Sequence, residues 1–237
     1  MKLLRIAAVL VIASAVACRH AGEQQLQAKA QGVQVAEVSG GKQIAQVGSA
    51  LAQPVVVQVN GADGNPVAGA LVNFRGEGMR INPAQALTDS SGQVTAQVQM
   101  GFVAGDNQLI AETPKAGGNA TLALREIALG YEQAVGKAVN DQYCIRCHDS
   151  ESTPERVSNL DNLSPAPHQF SDGGTLNRIT DSDLTNIIAH GGLALGKSPQ
   201  MPAYGATLKP EEIRAVIAYM RTVADPPYQT PGVNYGK

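Results

Sequence analysis

The sequence predicts two domains of different fold class, an all-β domain followed by an all-α domain. The chain has 237 residues, a length that suits two domains of ordinary size. From Val33 to Leu124, short alternating segments are separated by turn residues about every ten positions, which is typical of β-sandwiches. After residue 130 the apolar spacing changes to the period of amphipathic helices. We therefore place a β domain at residues 32–127, a helical domain at residues 130–225 and a tail at residues 226–237.

Composition supports folded domains and argues against nucleic-acid binding. Charged residues make up 16% of the chain and hydrophobic residues 43%, whereas about 25% charged residues is usual. The 18 basic residues are balanced by 20 acidic ones, the net charge is -2, and the basic residues are scattered. Because binding to a phosphate backbone needs clustered positive charge, we expect no nucleic-acid partner.

The first 17 residues are typical of a secretory signal peptide. Lys2 and Arg5 precede an apolar run of 12 residues, which is too short to cross a bilayer. The run ends in Ala15-Val16-Ala17, directly before Cys18. This arrangement resembles the signal of bacterial lipoproteins, in which the cysteine receives lipid and becomes the new N-terminus.

Cys18 therefore has two interpretations. The lipoprotein resemblance implies that Cys18 is lipidated and that residues 18–31, which are polar and rich in Gln and Ala, form a tether to a membrane. Arg19 stands where Asp is associated with inner-membrane retention, so the resemblance implies an outer-membrane destination. The alternative is an ordinary secreted protein with a free Cys18 thiol. Both interpretations predict localisation in the periplasm or cell envelope.

Two segments of the β domain show the strand pattern most clearly. In residues 94–100, apolar side chains alternate with Thr and Gln, and residues 55–59 repeat the alternation. The turn sequences Asp63-Gly64-Asn65-Pro66 and Asp89-Ser90-Ser91-Gly92 predict hairpins, since Gly permits positive φ and Pro fixes its own φ.

The turn sequences belong to a larger set of residues that resembles a bacterial immunoglobulin-like domain of the invasin and intimin type. The set covers most of residues 32–127 and includes the segment 63–69, Val72, Phe74, Thr88-Asp89, Gly92, Gly101, Gly105 and Asn107. The resemblance implies a β-sandwich that serves as a rigid spacer at the cell surface. Adhesion to a partner is the alternative role for this domain.

The segment Cys144-Ile145-Arg146-Cys147-His148 predicts covalent attachment of one c-type haem. Residues three apart on a helical turn project side by side, so both thiols can reach the vinyl groups of one porphyrin, and His148 is placed to ligate the iron. A zinc site would need two more ligands, and the sequence has no second Cys pair. A thioredoxin-like redox pair would leave His148 without a role.

Met201 is the predicted sixth ligand of the iron. It lies in Pro199-Gln200-Met201-Pro202-Ala203-Tyr204-Gly205, where a stiff backbone can orient a side chain. His168 and His190 are rival ligands, since coordination by two histidines is chemically sound. The carbonyl that accepts the ring proton of His148 is expected from Pro165 or Pro167.

Three helices are expected around the motif. The first covers Tyr131 to Tyr143, and the second covers Thr180 to His190, with a capping sequence at its start and Gly191 at its end. The last helix opens with Pro210, carries an apolar stripe from Ile213 to Val223, and stops at Asp225-Pro226-Pro227.

These features together, over residues 130–225, resemble class I cytochrome c. The resemblance implies Cys144 and Cys147 as thioether sites, His148 as proximal ligand and Met201 as distal ligand. It also implies a close crossing of the first and last helices at Gly136 and Tyr219. The predicted fold class is thus an N-terminal all-β immunoglobulin-like sandwich followed by a C-terminal all-α class I cytochrome c domain.

The expected function is electron transfer by an exported monohaem cytochrome, without catalysis. We expect redox proteins of the cell envelope as partners, and the membrane through a lipid anchor. Acid/base pairs or activated nucleophiles at diagnostic spacing are not found in the sequence. Two alternatives stay open. One is a haem-based sensor or peroxidase-like protein with a labile sixth ligand, and the other is an envelope adhesion module with an accessory haem domain.

Overall fold

The computed structural model describes residues 26–149 and 157–229. The predicted signal peptide and Cys18 lie outside the described residues. Within the described part of the chain, no helix is long and apolar enough to cross a membrane. The order of elements, strands first and helices after residue 130, is the order that the sequence predicts.

The β domain consists of strands packed as two sheets. In chain order they are β1 (Gln34–Ser39), β2 (Ile44–Gln46), β3 (Val55–Asn60), β4 (Leu71–Gly76), β5 (Arg80–Asn82), β6 (Gln85–Leu87), β7 (Gln93–Gln99), β8 (Gly105–Lys115) and β9 (Gly118–Leu129). One sheet has the order β1-β3-β7-β5 and the other β2-β9-β8-β4-β6. The pairs are antiparallel, apart from the parallel pair of β2 and β9.

Strand alternation builds the core of the sandwich. Residues 55, 57 and 59 of β3 are fully buried, and the even-numbered residues from Val94 to Met100 are buried while the odd-numbered ones are exposed. They join inward-facing residues of β4, β8 and β9 in a single apolar core between the sheets. The predicted strand faces are confirmed, because a period of two places alternate side chains on one face.

The two predicted hairpin turns form, but they connect strands of different sheets. Asp89 and Gly92 close the second turn through backbone hydrogen bonds, and the chain then passes from β6 in one sheet to β7 in the other. The first turn closes at Gly61 and leads from β3 to β4 in the same way. Turn residues specify a local reversal of the chain, whereas the choice of sheet depends on distant strands.

The helical domain has five α-helices in the described residues. They are α1 (Tyr131–Val139), α2 (Ile145–His148), α3 (Gly173–Leu176), α4 (Asp181–His190) and α5 (Pro210–Val223). The predicted cap of α4 is confirmed, since the Thr180 hydroxyl accepts a hydrogen bond from the backbone amide of Asp183. The predicted stop of α5 is also confirmed, as this helix ends at Val223.

Residues of the predicted tether and tail also make contacts with the two domains. Lys29 and Ala30, which the sequence assigns to the tether, donate backbone hydrogen bonds to Gly69 of the β domain. At the other end, the carbonyl of Pro226 accepts from Asn177, and the guanidinium of Arg221 lies 4.0 Å from the ring of Tyr228. These contacts depend on partners far along the chain, which the composition of a segment does not encode.

Helices α1 and α5 cross at Gly136, as the resemblance implies. A Cβ atom on Gly136 would overlap the carbonyl oxygen of Ala215 and would lie 2.9 Å from Cβ of Tyr219. Only a residue without a side chain permits this approach of two backbones. The crossing holds α1, and with it the attachment motif that follows, against the last helix.

Candidate haem attachment site

The attachment motif begins inside a helical irregularity. The sequence predicts a continuous helix to Tyr143, but α1 ends at Val139 and is followed by a π-helical turn, Asn140–Cys144. A π turn holds an extra residue and changes the face on which later residues lie, and such turns are frequent at functional sites. Cys144 closes this turn, and Cys147 and His148 lie on the single turn of α2.

The imidazole of His148 is held by a backbone carbonyl. Its Nδ1 atom lies 2.7 Å from the carbonyl oxygen of His168. A carbonyl oxygen can only accept, so Nδ1 donates, and in a neutral ring the lone pair is then on Nε2. Burial lowers the pKa of His148, which favours the neutral ring. The acceptor is His168 rather than Pro165 or Pro167, because the fold of the 164–172 segment, not its proline content, decides which carbonyl faces the ring.

The environment of Cys144 argues against the redox-pair interpretation. Burial, and next the nearby Cys147, raise the pKa of the Cys144 thiol to about 12. A thioredoxin-like pair requires a thiol whose pKa is lowered, since the thiolate is the nucleophile. Cys144 is therefore suited to a covalent structural bond rather than to rapid thiol exchange.

The loop that carries Met201 is clamped to the end of α4 by backbone hydrogen bonds. The Met201 carbonyl accepts from Gly192, and the amides of Tyr204 and Gly205 donate to Ile188 and Ala189. The backbone approach is close, because a Cβ atom on Gly191, whose φ is +82°, would lie 2.9 Å from the Met201 carbonyl. Backbone hydrogen bonds thereby hold the loop against the end of α4.

The attachment motif and the Met201 loop meet at the same apolar surface. Tyr143, Cys144, Met201 and Tyr204 are partly buried and pack against the helical core, a cluster of buried side chains from α1, α3, α4 and α5 with neighbouring loop residues. The Tyr204 hydroxyl donates to the Tyr143 carbonyl at 3.1 Å, and the two rings make an edge-to-face contact at 5.8 Å. Cys144 and Met201 therefore both border the helical core, and Tyr143 and Tyr204, which lie near them in the sequence, are in direct contact.

The two rival ligands, His168 and His190, are exposed. His168 contributes its carbonyl to His148, and His190 lies at the end of α4, where its ring faces the Asn186 carbonyl at 3.3 Å. Met201, by contrast, is partly buried and packs against the helical core. Met201 therefore remains the predicted distal ligand.

Arg221, a buried cation on α5, was not predicted from the sequence. Its guanidinium donates to the carbonyls of Leu176 and Ile179 and to the carboxylate of Asp181. These contacts join α5 to the segment between α3 and α4. A lone Arg on the apolar stripe of α5 was the available signal, because a buried Arg requires several acceptors.

The residues present fit a covalently bound haem. The thiols of Cys144 and Cys147 are three residues apart, and the Nδ1 atom of the next residue, His148, is already hydrogen-bonded. The thioether of Met201 borders the same helical core as Cys144. Thioether bonds need the thiols, and His and Met are haem ligands in electron-transfer proteins.

Residues 132–220 match the family model described as "Cytochrome C oxidase, cbb3-type, subunit III". The helical domain is therefore similar to a cytochrome c family. This match covers less than half of the chain, and it confirms the predicted cytochrome resemblance in its coarse form. It also implies haem as the cofactor of the helical domain. No curated protein is significantly similar to the chain.

Structural neighbours of the chain include two fragments of intimin. The D0-D1 domain fragment is 15% identical with a TM-score of 0.31, and the match covers 40% of this chain and 47% of the fragment. The D00-D0 domain fragment is 17% identical with a TM-score of 0.32, covering 44% and 51%. The chain thus spans about half the length of the intimin fragments that it matches. These TM-scores are too low to support the sandwich architecture. The evidence for it is the strand pairing of the β domain itself.

Proposed function

We propose that this protein is an exported monohaem c-type cytochrome that transfers electrons between proteins of the cell envelope. The observation that carries the proposal is the geometry of His148, whose Nδ1 is bonded to the His168 carbonyl directly after the two thiols of the motif. When bound, haem supplies an iron that accepts and releases single electrons. Catalysis is not part of the proposal.

Each residue of the site has a separate task. Cys144 and Cys147 hold the cofactor covalently, which prevents its loss outside the cell. The His168 carbonyl fixes the tautomer and the orientation of His148 and increases the basicity of its Nε2 atom. The clamped loop presents Met201 from a rigid backbone. Tyr143 and Tyr204 pack against each other and against the helical core, and the apolar surroundings of a redox centre influence its potential.

The strand directions support the spacer part of the proposal. Ala30, at the end of the polar segment, bridges to Ala70 at one end of the sandwich. From that end β9 runs 12 residues and leads into α1 at the opposite end, a span of about 40 Å. A lipid on Cys18 would hold the first end near an outer membrane and keep the cytochrome domain at a distance from it.

The first test is mass spectrometry and absorption spectroscopy of full-length protein matured in a host that ligates c-type haem. We expect the mass of one covalent haem, together with lipid on the N-terminal cysteine. The Cys18→Ser variant should lose the lipid and membrane association while it keeps the haem. A colourless wild-type protein would contradict the haem proposal.

The second part of this test concerns the distal ligand. Met201→Ala should abolish the far-red absorption band of ferric haem with a methionine ligand. Met79→Ala, in the β domain, is the matched control and should keep the band. If Met201→Ala retains the band, Met201 is not the ligand. Rapid carbon monoxide binding to the reduced wild-type protein would favour the sensor alternative.

A further inference from the structure

Phe170 makes a face contact with the ring of His148. The two ring centroids are 4.7 Å apart and the planes are inclined by 25°, which is a stacked arrangement. Phe170 is partly buried and packs against two separate groups of buried side chains. One is the helical core, and the other lies between the two domains.

The second group, here called the interdomain cluster, joins the β domain to the last helix. It consists of Ile127 and Leu129 of β9 with Tyr219 and Val223 of α5, and all four are buried. Along β9, residues 124 and 128 face the core of the sandwich, whereas residues 127 and 129 face the helical domain. Phe170 is therefore in contact with a cluster to which the β domain contributes half of the members.

Hydrogen bonds also connect the β domain to the segment that contains Phe170. The Arg125 guanidinium of β9 donates to the Ala224 carbonyl at 3.1 Å, and the Asp225 amide donates to the Ser171 carbonyl at 2.9 Å. Ser171 directly follows Phe170, and His168, two residues before Phe170, accepts from His148. The segment 168–171 is thus held by His148 on one side and by the end of α5 and β9 on the other.

We propose that Phe170 is a positioning residue through which the β domain sets the orientation of the His148 ring. This inference rests on the proposed function, in which His148 is a haem ligand. A single hydrogen bond at Nδ1 fixes one atom of the ring and still allows the ring plane to pivot about it. A face contact with Phe170 restricts that pivot, and the orientation of an axial ligand affects the electronic state of the iron. The spacer domain would then also be part of the support of the haem site.

The test uses full-length haem-loaded protein and two readouts, the proton NMR shifts of the haem methyl groups and the midpoint potential. The methyl shifts report the orientation of axial ligand planes and are insensitive to global stability. Phe170→Leu should change the shift pattern and alter the ratio of oxidised to reduced protein at the wild-type midpoint by about threefold. Phe170→Tyr keeps the ring and should restore the wild-type pattern.

The contribution of the β domain is tested with two variants of the same strand. Ile127→Ala removes apolar volume from the interdomain cluster and should change the methyl shifts in the same resonances as Phe170→Leu. Leu124→Ala removes a similar volume from the opposite face of β9 and should leave them unchanged. Ile127→Val provides a milder variant in case Ile127→Ala fails to fold.

Two outcomes would overturn the proposal. If Phe170→Leu lowers thermal stability but leaves both readouts at wild-type values, Phe170 only fills space. If Phe170→Leu changes the readouts whereas Ile127→Ala and Ile127→Val do not, the β domain plays no part in positioning His148. Failure of the proposed function is distinguished from both, because it appears as a wild-type protein without haem.

Discussion

The β domain and the helical domain are held together in different ways. In the β domain, strands exchange backbone hydrogen bonds along long ladders, and a closed core contains fully buried Val55, Val57 and Val72. In the helical domain, the core borders the partly buried Cys144 and Met201, and elements far apart in sequence are joined by single side chains. Many equivalent contacts stabilise the β domain, whereas the stability of the helical domain depends more on a few specific contacts.

This difference predicts how each region responds to mutation. Removing one contact from a ladder leaves its neighbours intact, so surface changes in the β domain should cost little. In the helical domain, the crossing of α1 and α5 depends on the absence of a side chain at Gly136, and the guanidinium of Arg221 joins α5 to backbone carbonyls of α3 and the loop after it. Substitutions there should therefore destabilise the domain strongly.

The largest effect is expected at the helix crossing. Gly136→Ala places a Cβ atom against the backbone of Ala215, so α1 and α5 must separate, and the free energy of unfolding should fall by at least about 3 kcal/mol. Gly64→Ala is the matched substitution in the β domain, where the Cβ atom meets nothing within 4 Å and only the positive φ of 79° is strained. It should cost about 1 kcal/mol. Equal losses in urea denaturation would contradict the comparison.

The second largest loss of stability is expected for a buried arginine, with an exposed arginine as the control. Arg221→Ala removes the guanidinium donor from the carbonyls of Leu176 and Ile179, and among the described residues only the Leu176 carbonyl keeps a second donor, the Ile179 amide, so the change should cost about 3 kcal/mol. Arg221→Lys keeps the charge but not the fork of donors, so it should recover only part of this loss. Arg75, paired with Glu112 at 3.8 Å on the surface of the sandwich, is the control. Arg75→Ala should change stability by less than about 0.5 kcal/mol in thermal or urea unfolding.

The smallest effect is a pH dependence that arises in the β domain. Burial, and next the charge of Glu37, raise the pKa of Glu126 to about 7, against the opposing hydrogen bond from the Gln43 amide. Since the unfolded chain releases this proton near its ordinary pKa, stability is highest below about pH 4.5 and declines as pH rises to about 7. The decline attributable to Glu126 should be on the order of 2 kcal/mol.

Urea denaturation at several pH values measures this dependence. Glu126→Gln should flatten the profile between pH 5 and 7, whereas Glu132→Gln, at an exposed position of α1, should leave it unchanged. Equal slopes for the wild-type protein and Glu126→Gln over this range would contradict the prediction.

Much of the fold was predictable because the relevant signals are local. Alternation in residues 94–100 specified which strand face is buried, and Thr180 specified where α4 begins. The Gly136 crossing and the attachment motif were also found, because each depends on residue type at a fixed position in a known pattern. In the site, the sequence predicts Cys144, Cys147, His148 and Met201 as a group, and in the structure Cys144 and Met201 both pack against the helical core.

The remaining features depend on which distant segments meet, and no local pattern encodes that. The carbonyl that holds His148 comes from His168, 20 residues away, and the stacking of Phe170 depends on how the 164–172 segment lies between α2 and α5. Two of the acceptors of Arg221 are backbone carbonyls, and every residue of a sequence has a backbone carbonyl. Residue types therefore identify the chemistry of the site, whereas packing between remote elements selects the groups that orient it.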